Sequence, residues 1–125
     1  MRSMLVALAV TVATISAAPA FAHPKLLSAN PAPNAIVAAP ARIQLTFSEK
    51  LVAQFSGADL AMTDMPGKKM SAPMKMPVKA SLAPDGKTMI LWLVKPIARG
   101  TYKLAWHVVS TDTHRVQGSY AFKVE

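Results

Sequence analysis

Beyond residue 25 the chain is a series of short alternating runs. Arg42-Ile43-Gln44-Leu45-Thr46-Phe47 sends Ile43, Leu45 and Phe47 to one side and Arg42, Gln44 and Thr46 to the other. That period of two marks a half-buried strand. Thr101 to Ser110 repeats it, with Tyr102, Leu104, Trp106 and Val108 against Lys103, Ala105, His107 and Val109. Ser119 to Val124 does so again through Tyr120, Phe122 and Val124. Leu26 to Ser28, Asp59 to Thr63 and Val78 to Leu82 predict shorter strands. Thr88 to Val94 is apolar on both faces, which predicts a central or covered strand. The breaks carry turn chemistry: Asn30-Pro31-Ala32-Pro33-Asn34, Ala83-Pro84-Asp85-Gly86 and Lys95 to Gly100. No segment of this region sustains a 3.6-residue period. About seven short strands in about 100 residues predict a seven-stranded antiparallel Greek-key β-sandwich of immunoglobulin-like architecture. Met62 to Pro77 holds three prolines and a glycine, and is predicted to be a long loop.

The start of the chain has a different pattern. Met1-Arg2-Ser3 is followed by an uncharged apolar run, Met4 to Ile15, and by small residues ending in Ala20-Phe21-Ala22. This is the form of a secretory signal peptide. Twelve apolar residues fall short of the roughly 20 that span a bilayer. The expected division is a signal peptide over 1–22 and one domain over 23–125, released into the periplasm with no membrane span. Loss of Arg2 would take the formal net charge from +8 to +7. An exported chain with scattered basic residues is not expected to bind nucleic acid. The absence of cysteine excludes disulfide scaffolds, thiolate metal sites and thiol catalysis.

Two groups of residues carry metal chemistry. Met62, Met65, Met70, Met74 and Met76 crowd into fifteen positions. Thioethers are soft neutral donors that suit Cu(I) and serve hard cations poorly. The competing reading is that some of them pack the segment onto the sandwich, Met62 foremost. The second group depends on processing. Cleavage after Ala22 would make His23 the first residue, so that its amine and imidazole could chelate one ion. Pro24 has no amide N–H to displace, so the chelate needs donors from elsewhere. Asp112 and His114, two apart on a predicted turn, are candidates for Cu(II), with Asp112 either ligating or orienting His114. Glu49, just after the Arg42–Phe47 strand, is a further candidate. His107 is expected to be a surface residue.

The chain resembles the CopC-type (also PcoC-type) periplasmic copper-resistance proteins. The resemblance rests on His23-Pro24-Lys25-Leu26, Phe47-Ser48-Glu49, Gln54-Phe55-Ser56-Gly57-Ala58, the methionine segment, Gly100-Thr101-Tyr102-Lys103, and Ser110-Thr111-Asp112-Thr113-His114 followed by Gly118-Ser119. It implies a cupredoxin-like or immunoglobulin-like sandwich that carries copper without catalytic turnover. It also implies a Cu(II) site at His23, Asp112, His114 and Glu49, and a Cu(I) site in the methionine segment. The segment lacks the histidine found there in relatives, so an all-thioether site is expected. Implied partners are copper ions and an inner-membrane copper transporter or other periplasmic carriers. Two other classes compete. One is a copper enzyme that oxidises polysaccharide through a terminal histidine; the other is an immunoglobulin-like interaction module.

Overall fold

The computed structural model describes residues 10–14 and 23–125. The expected signal peptide therefore lies, apart from residues 10–14, outside the described residues. Among the described residues nine strands follow one another: β1 (Leu26–Asn30), β2 (Ile36–Val37), β3 (Arg42–Phe47), β4 (Gly57–Met65), β5 (Lys68–Met76), β6 (Val78–Leu82), β7 (Thr88–Leu93), β8 (Gly100–Val109) and β9 (Arg115–Val124). One 3-10 turn, Ala53–Phe55, separates β3 from β4. Among the described residues no helix is long and apolar enough to cross a membrane.

The strands form two sheets, in the order β1-β3-β7-β6 and β2-β9-β8-β4-β5. The inward sides of the alternating runs meet between them. Ile43, Leu45, Phe47, Leu60, Met89, Leu91, Tyr102, Leu104, Val108 and Phe122 are buried there. β7 lies between β3 and β6, a central strand as expected, while Trp92 on its outer face stays 44% exposed. Tyr102 stacks on Phe122 at 5.8 Å and donates its hydroxyl to the Ala98 carbonyl at 2.6 Å, tying the β7–β8 loop to the core. The sandwich matches the expected class. It has two more strands than the pattern predicts, β2 and β5, and β2 pairs with β9 in parallel.

The methionine segment corrects the sequence reading. It is not a loop but most of a β-hairpin, with β4 and β5 joined at Pro66-Gly67. Gly67 takes φ +71°, which the turn requires. The prolines are tolerated because β5 is an edge strand, paired on one side only. The ladder also slips at Pro73. Met62 faces Met74 and Asp64 faces Lys69, so residues 70–73 bulge opposite Thr63. A proline there interrupts no regular ladder bond.

Candidate metal centre

The β8–β9 hairpin runs in unbroken register from Gly100↔Val124 to Val109↔Arg115, and its turn carries Asp112 and His114. The Thr113 amide donates to the Ser110 carbonyl at 2.8 Å, and the Ser110 amide to the His114 carbonyl at 2.9 Å. Thr113 sits at φ 75°, in the left-handed region, which closes the turn and leaves Asp112 and His114 on either side of it. The Asp112 carboxylate is held at both oxygens. Oδ2 lies 2.9 Å from His114 Nδ1, and Oδ1 accepts the Ser110 hydroxyl. The Ser110 contact first, and the His114 contact second, hold this carboxyl below the usual carboxylate range.

The opposite wall is the segment His23-Pro24-Lys25. Pro24 is buried. The Lys25 amide donates to Ser48 Oγ at 2.9 Å, and the Ser48 amide returns a bond to the Lys25 carbonyl at 2.9 Å. This clamp extends the β1–β3 ladder by one step and fixes where His23 emerges. The His23 ring meets the His114 ring edge-on, with centroids 4.5 Å apart and planes at 67°. These histidines are 91 positions apart in the chain (114 minus 23).

Residues 48–52 join the two walls. Ser48 grips Lys25, the Lys50 carbonyl accepts the Thr111 amide at 2.9 Å, and the Val52 amide donates to the Val109 carbonyl at 2.8 Å. Glu49 lies between Ser48 and Lys50, half-buried at this same end. The structure thus brings His23, Asp112 and His114 into one place and puts Glu49 on the strap beside them. Among the described residues, no group of three or more His, Asp or Glu side chains is arranged to hold a metal ion by itself. His107 is exposed on β8, as expected of a surface histidine.

The methionines divide by burial. Met62 is in the core at 5% exposure, and Met70 and Met76 pack against it. Met65 and Met74 remain 43% and 47% exposed. Met74 pairs with Met62, and Met76 with Leu60, so Met62, Met74 and Met76 share the core-facing side of the hairpin with Leu60. Met62 is level with Tyr102 on β8, seven residues from Val109. At about 3.3 Å per residue this separates the methionines from the histidine pair by about 20 Å.

Sequence reasoning missed Ser48 and Ser110. Both stand within motifs noted above, but a serine at a strand end gives no sign of its partner. Ser48 bonds a residue 23 positions away. Ser110 is 1% exposed, a burial its polarity does not predict.

Comparison with known proteins bears on the family and the fold. Residues 26–125 match the CopC domain family model. The chain is 49% identical over 124 residues to Copper resistance protein C of Xanthomonas campestris pv. juglandis, covering 99% of this chain and 97% of that one. It is 52% identical over 104 residues to Copper resistance protein C of Pseudomonas syringae pv. tomato, covering 83% and 82%. The crystal structure of PcoC, a methionine-rich copper resistance protein from Escherichia coli, superposes with a TM-score of 0.76 at 43% identity, covering 83% of this chain and all of that one.

Proposed function

The chain belongs to the CopC family, and on that premise we propose that it is an exported copper-binding protein of copper resistance, released at His23 and working in the periplasm. It holds Cu(II) at the histidine pair and Cu(I) on the methionine hairpin. The observation that carries this reading is the meeting of the His23 and His114 rings at 4.5 Å. Metal–nitrogen bonds of about 2 Å put the centroids of two cis imidazoles on the order of 4–5 Å apart, so little movement is needed for both to share one ion.

The donor set suits Cu(II). The His23 amine and imidazole chelate, and His114 supplies a third nitrogen. With Nδ1 facing Asp112, Nε2 is the ring nitrogen that His114 offers. Three nitrogens fit the tetragonal preference of Cu(II), and Asp112 and Glu49 supply negative charge beside a divalent ion. The amine and imidazoles bind only when deprotonated, so acid weakens the site. The amine becomes a donor only through cleavage, which explains why side chains alone do not complete the centre.

The hairpin suits Cu(I). Met65 and Met74 are accessible thioethers, and Met62, Met70 and Met76 are the partly or fully buried ones behind them. Soft sulfur favours Cu(I) over Cu(II) and over the commoner hard cations. A separation of about 20 Å makes the sites independent. The protein sequesters copper in either oxidation state or passes it to a membrane transporter or another carrier, with no turnover of its own.

The test is a paired titration with Cu(II) and Cu(I) on protein whose amino terminus has been verified by mass. One extra residue before His23 should abolish tight Cu(II) binding and spare Cu(I). Unchanged Cu(II) affinity in that protein and in His114→Ala would overturn the assignment. Copper-loaded protein should oxidise polysaccharide with peroxide no faster than free copper does.

A further inference from the structure

We infer that the outer face of the four-stranded sheet is a docking surface for an anionic lipid bilayer, with Trp92 as its anchor and Arg42 and Lys79 as its charges. It goes beyond copper, and takes from the reading above only the compartment in which such a surface is met. β7 sends Met89 and Leu91 into the core, so Ile90, Trp92 and, just past the strand, Val94 alternate to the outside. Trp92 is 44% and Val94 50% exposed, so the second apolar face of this central strand is turned to solvent. The neighbours of Trp92 in register are both cations, Arg42 on β3 and Lys79 on β6. The Arg42 guanidinium carbon lies 5.6 Å from the centre of the indole, and the indole N–H donates to Ser81 Oγ at 3.3 Å. The ring is thereby fixed on the sheet with its apolar edge outward.

Charge decides the partner. Exposed Lys95, next after Val94, adds a third cation at the near end of this face. The acidic side chains lie elsewhere. Glu49 and Asp112 are at the histidine end, Asp59 and Asp64 are on β4 of the other sheet, and Glu125 follows β9. Asp85, in the turn at the far end of β7, has its oxygens taken by Lys87 and Thr88. Among the described residues neither Arg42 nor Lys79 pairs with a carboxylate, so docking breaks no ion pair. The outer face of the five-stranded sheet differs: there Asp59 is bridged to Lys75 at 3.3 Å, and Ala61, Ala105 and Ala121 stand beside Lys103. A tryptophan ringed by Arg and Lys matches the bilayer interface, where the ring sits at headgroup depth and the cations meet phosphates. The ring projects from a sheet face with cations on either side, which suits a layer of headgroups better than a single acidic strand. Docking by this face leaves the sheet with the methionine hairpin and the β8–β9 turn on the side away from the bilayer.

The experiment sediments the exported protein with vesicles of phosphatidylglycerol and phosphatidylcholine, and with vesicles of phosphatidylcholine alone. Binding should be confined to the anionic vesicles and should weaken as salt shortens the Debye length. Trp92 emission should shift to the blue on binding, over a constant contribution from buried Trp106. Arg42→Gln and Lys79→Gln should each weaken binding about fivefold, the scale of one basic side chain near an anionic surface. Trp92→Ala should weaken binding at unchanged net charge and abolish the shift. Lys103→Gln removes the same charge from the opposite face. It should cost less than about twofold, because sheets stacked about 10 Å apart hold Lys103 beyond a Debye length of about 8 Å. Equal losses in Lys103→Gln and Arg42→Gln would overturn the inference, since attraction would then follow net charge and not this face. Equal binding to both kinds of vesicle, or an unshifted emission, would overturn it too. Binding to polyglutamate but not to the vesicles would overturn it in favour of an acidic protein partner. If Trp92→Ala loses its fold, the two glutamine variants, at exposed positions, carry the test. Copper titrations of Arg42→Gln should match wild type. Failure of the copper assignments with vesicle binding intact rejects only those assignments, and the reverse result rejects only the docking face.

Discussion

Gly118→Ala should destabilise the hairpin that carries the histidine turn. Gly118 pairs with Trp106, and the indole lies across the glycine. A Cβ added there would stand 2.4 Å from Cζ2, 2.8 Å from Cε2 and 3.1 Å from Cη2 of that ring. Carbon contacts settle at about 3.5–4.0 Å, so the ring or the strand must give by about 1 Å. The ring has little room. Trp106 is 9% exposed and meets Phe47 edge-on at 5.1 Å, and Phe47 is fully buried. Overpacking of this kind costs about 1–3 kcal/mol, and a rigid ring against a backbone-anchored methyl belongs at the upper end. The lost backbone freedom of glycine in the unfolded chain returns about 0.5–1 kcal/mol. The net is about 2 kcal/mol, or a fall in Tm of roughly 10 °C for a domain near 100 residues. Thermal unfolding followed by circular dichroism measures it. Trp106→Phe removes Cζ2 and Cη2, so Gly118→Ala should cost at least about 1 kcal/mol less in that background. A Tm within about 2 °C of wild type, or equal costs in both backgrounds, would refute the reasoning.

Thr113→Gly should raise Tm by a few degrees. A β-branched residue at φ 75° costs about 1–2 kcal/mol, part of which glycine gives back as unfolded-state entropy. Asp85 accepts the Lys87 amide and the Thr88 hydroxyl and amide, and these bonds, Lys87 first, hold it below its ordinary 3.8. Its folded value is depressed, so its stabilisation is present above pH 4 or so and disappears as pH falls through the folded value. Asp85→Ala should therefore lower Tm at pH 7, and the gap to wild type should close in strong acid. On the methionine hairpin, Met62→Ala should cost about 2–5 kcal/mol as a core truncation, measured by urea unfolding. Met74→Ala, half exposed, should cost well under 1 kcal/mol and instead lower Cu(I) affinity.

Much of the scaffold was legible because alternation reports burial directly. β3 and β6 occupy the predicted residues, and the inward members of β3, β7 and β8 form the core. The methionine segment was misread for a physical reason. Proline forbids a central strand but not an edge, and whether a strand lies at an edge depends on the whole sheet order. The division of the methionines followed from the same fact. The core-facing side of the hairpin runs from Met62, buried on the inner strand β4, to Met74, half-exposed on the edge strand β5, a difference no local pattern gives.

The donor chemistry was present in the residue types. Thioethers, a histidine just after the expected cleavage point, and an Asp-x-His turn pointed to copper, and the alternating runs determined that the chain folds as a sandwich. Only the tertiary structure decided which donors meet. The His23–His114 contact joins residues 91 positions apart, and it exists because the Lys25–Ser48 clamp and the 48–52 strap tie the first strand of one sheet to the turn of the other. Contacts between residues so far apart depend on how two sheets stack, and stacking is a property of the assembled core rather than of any segment within it.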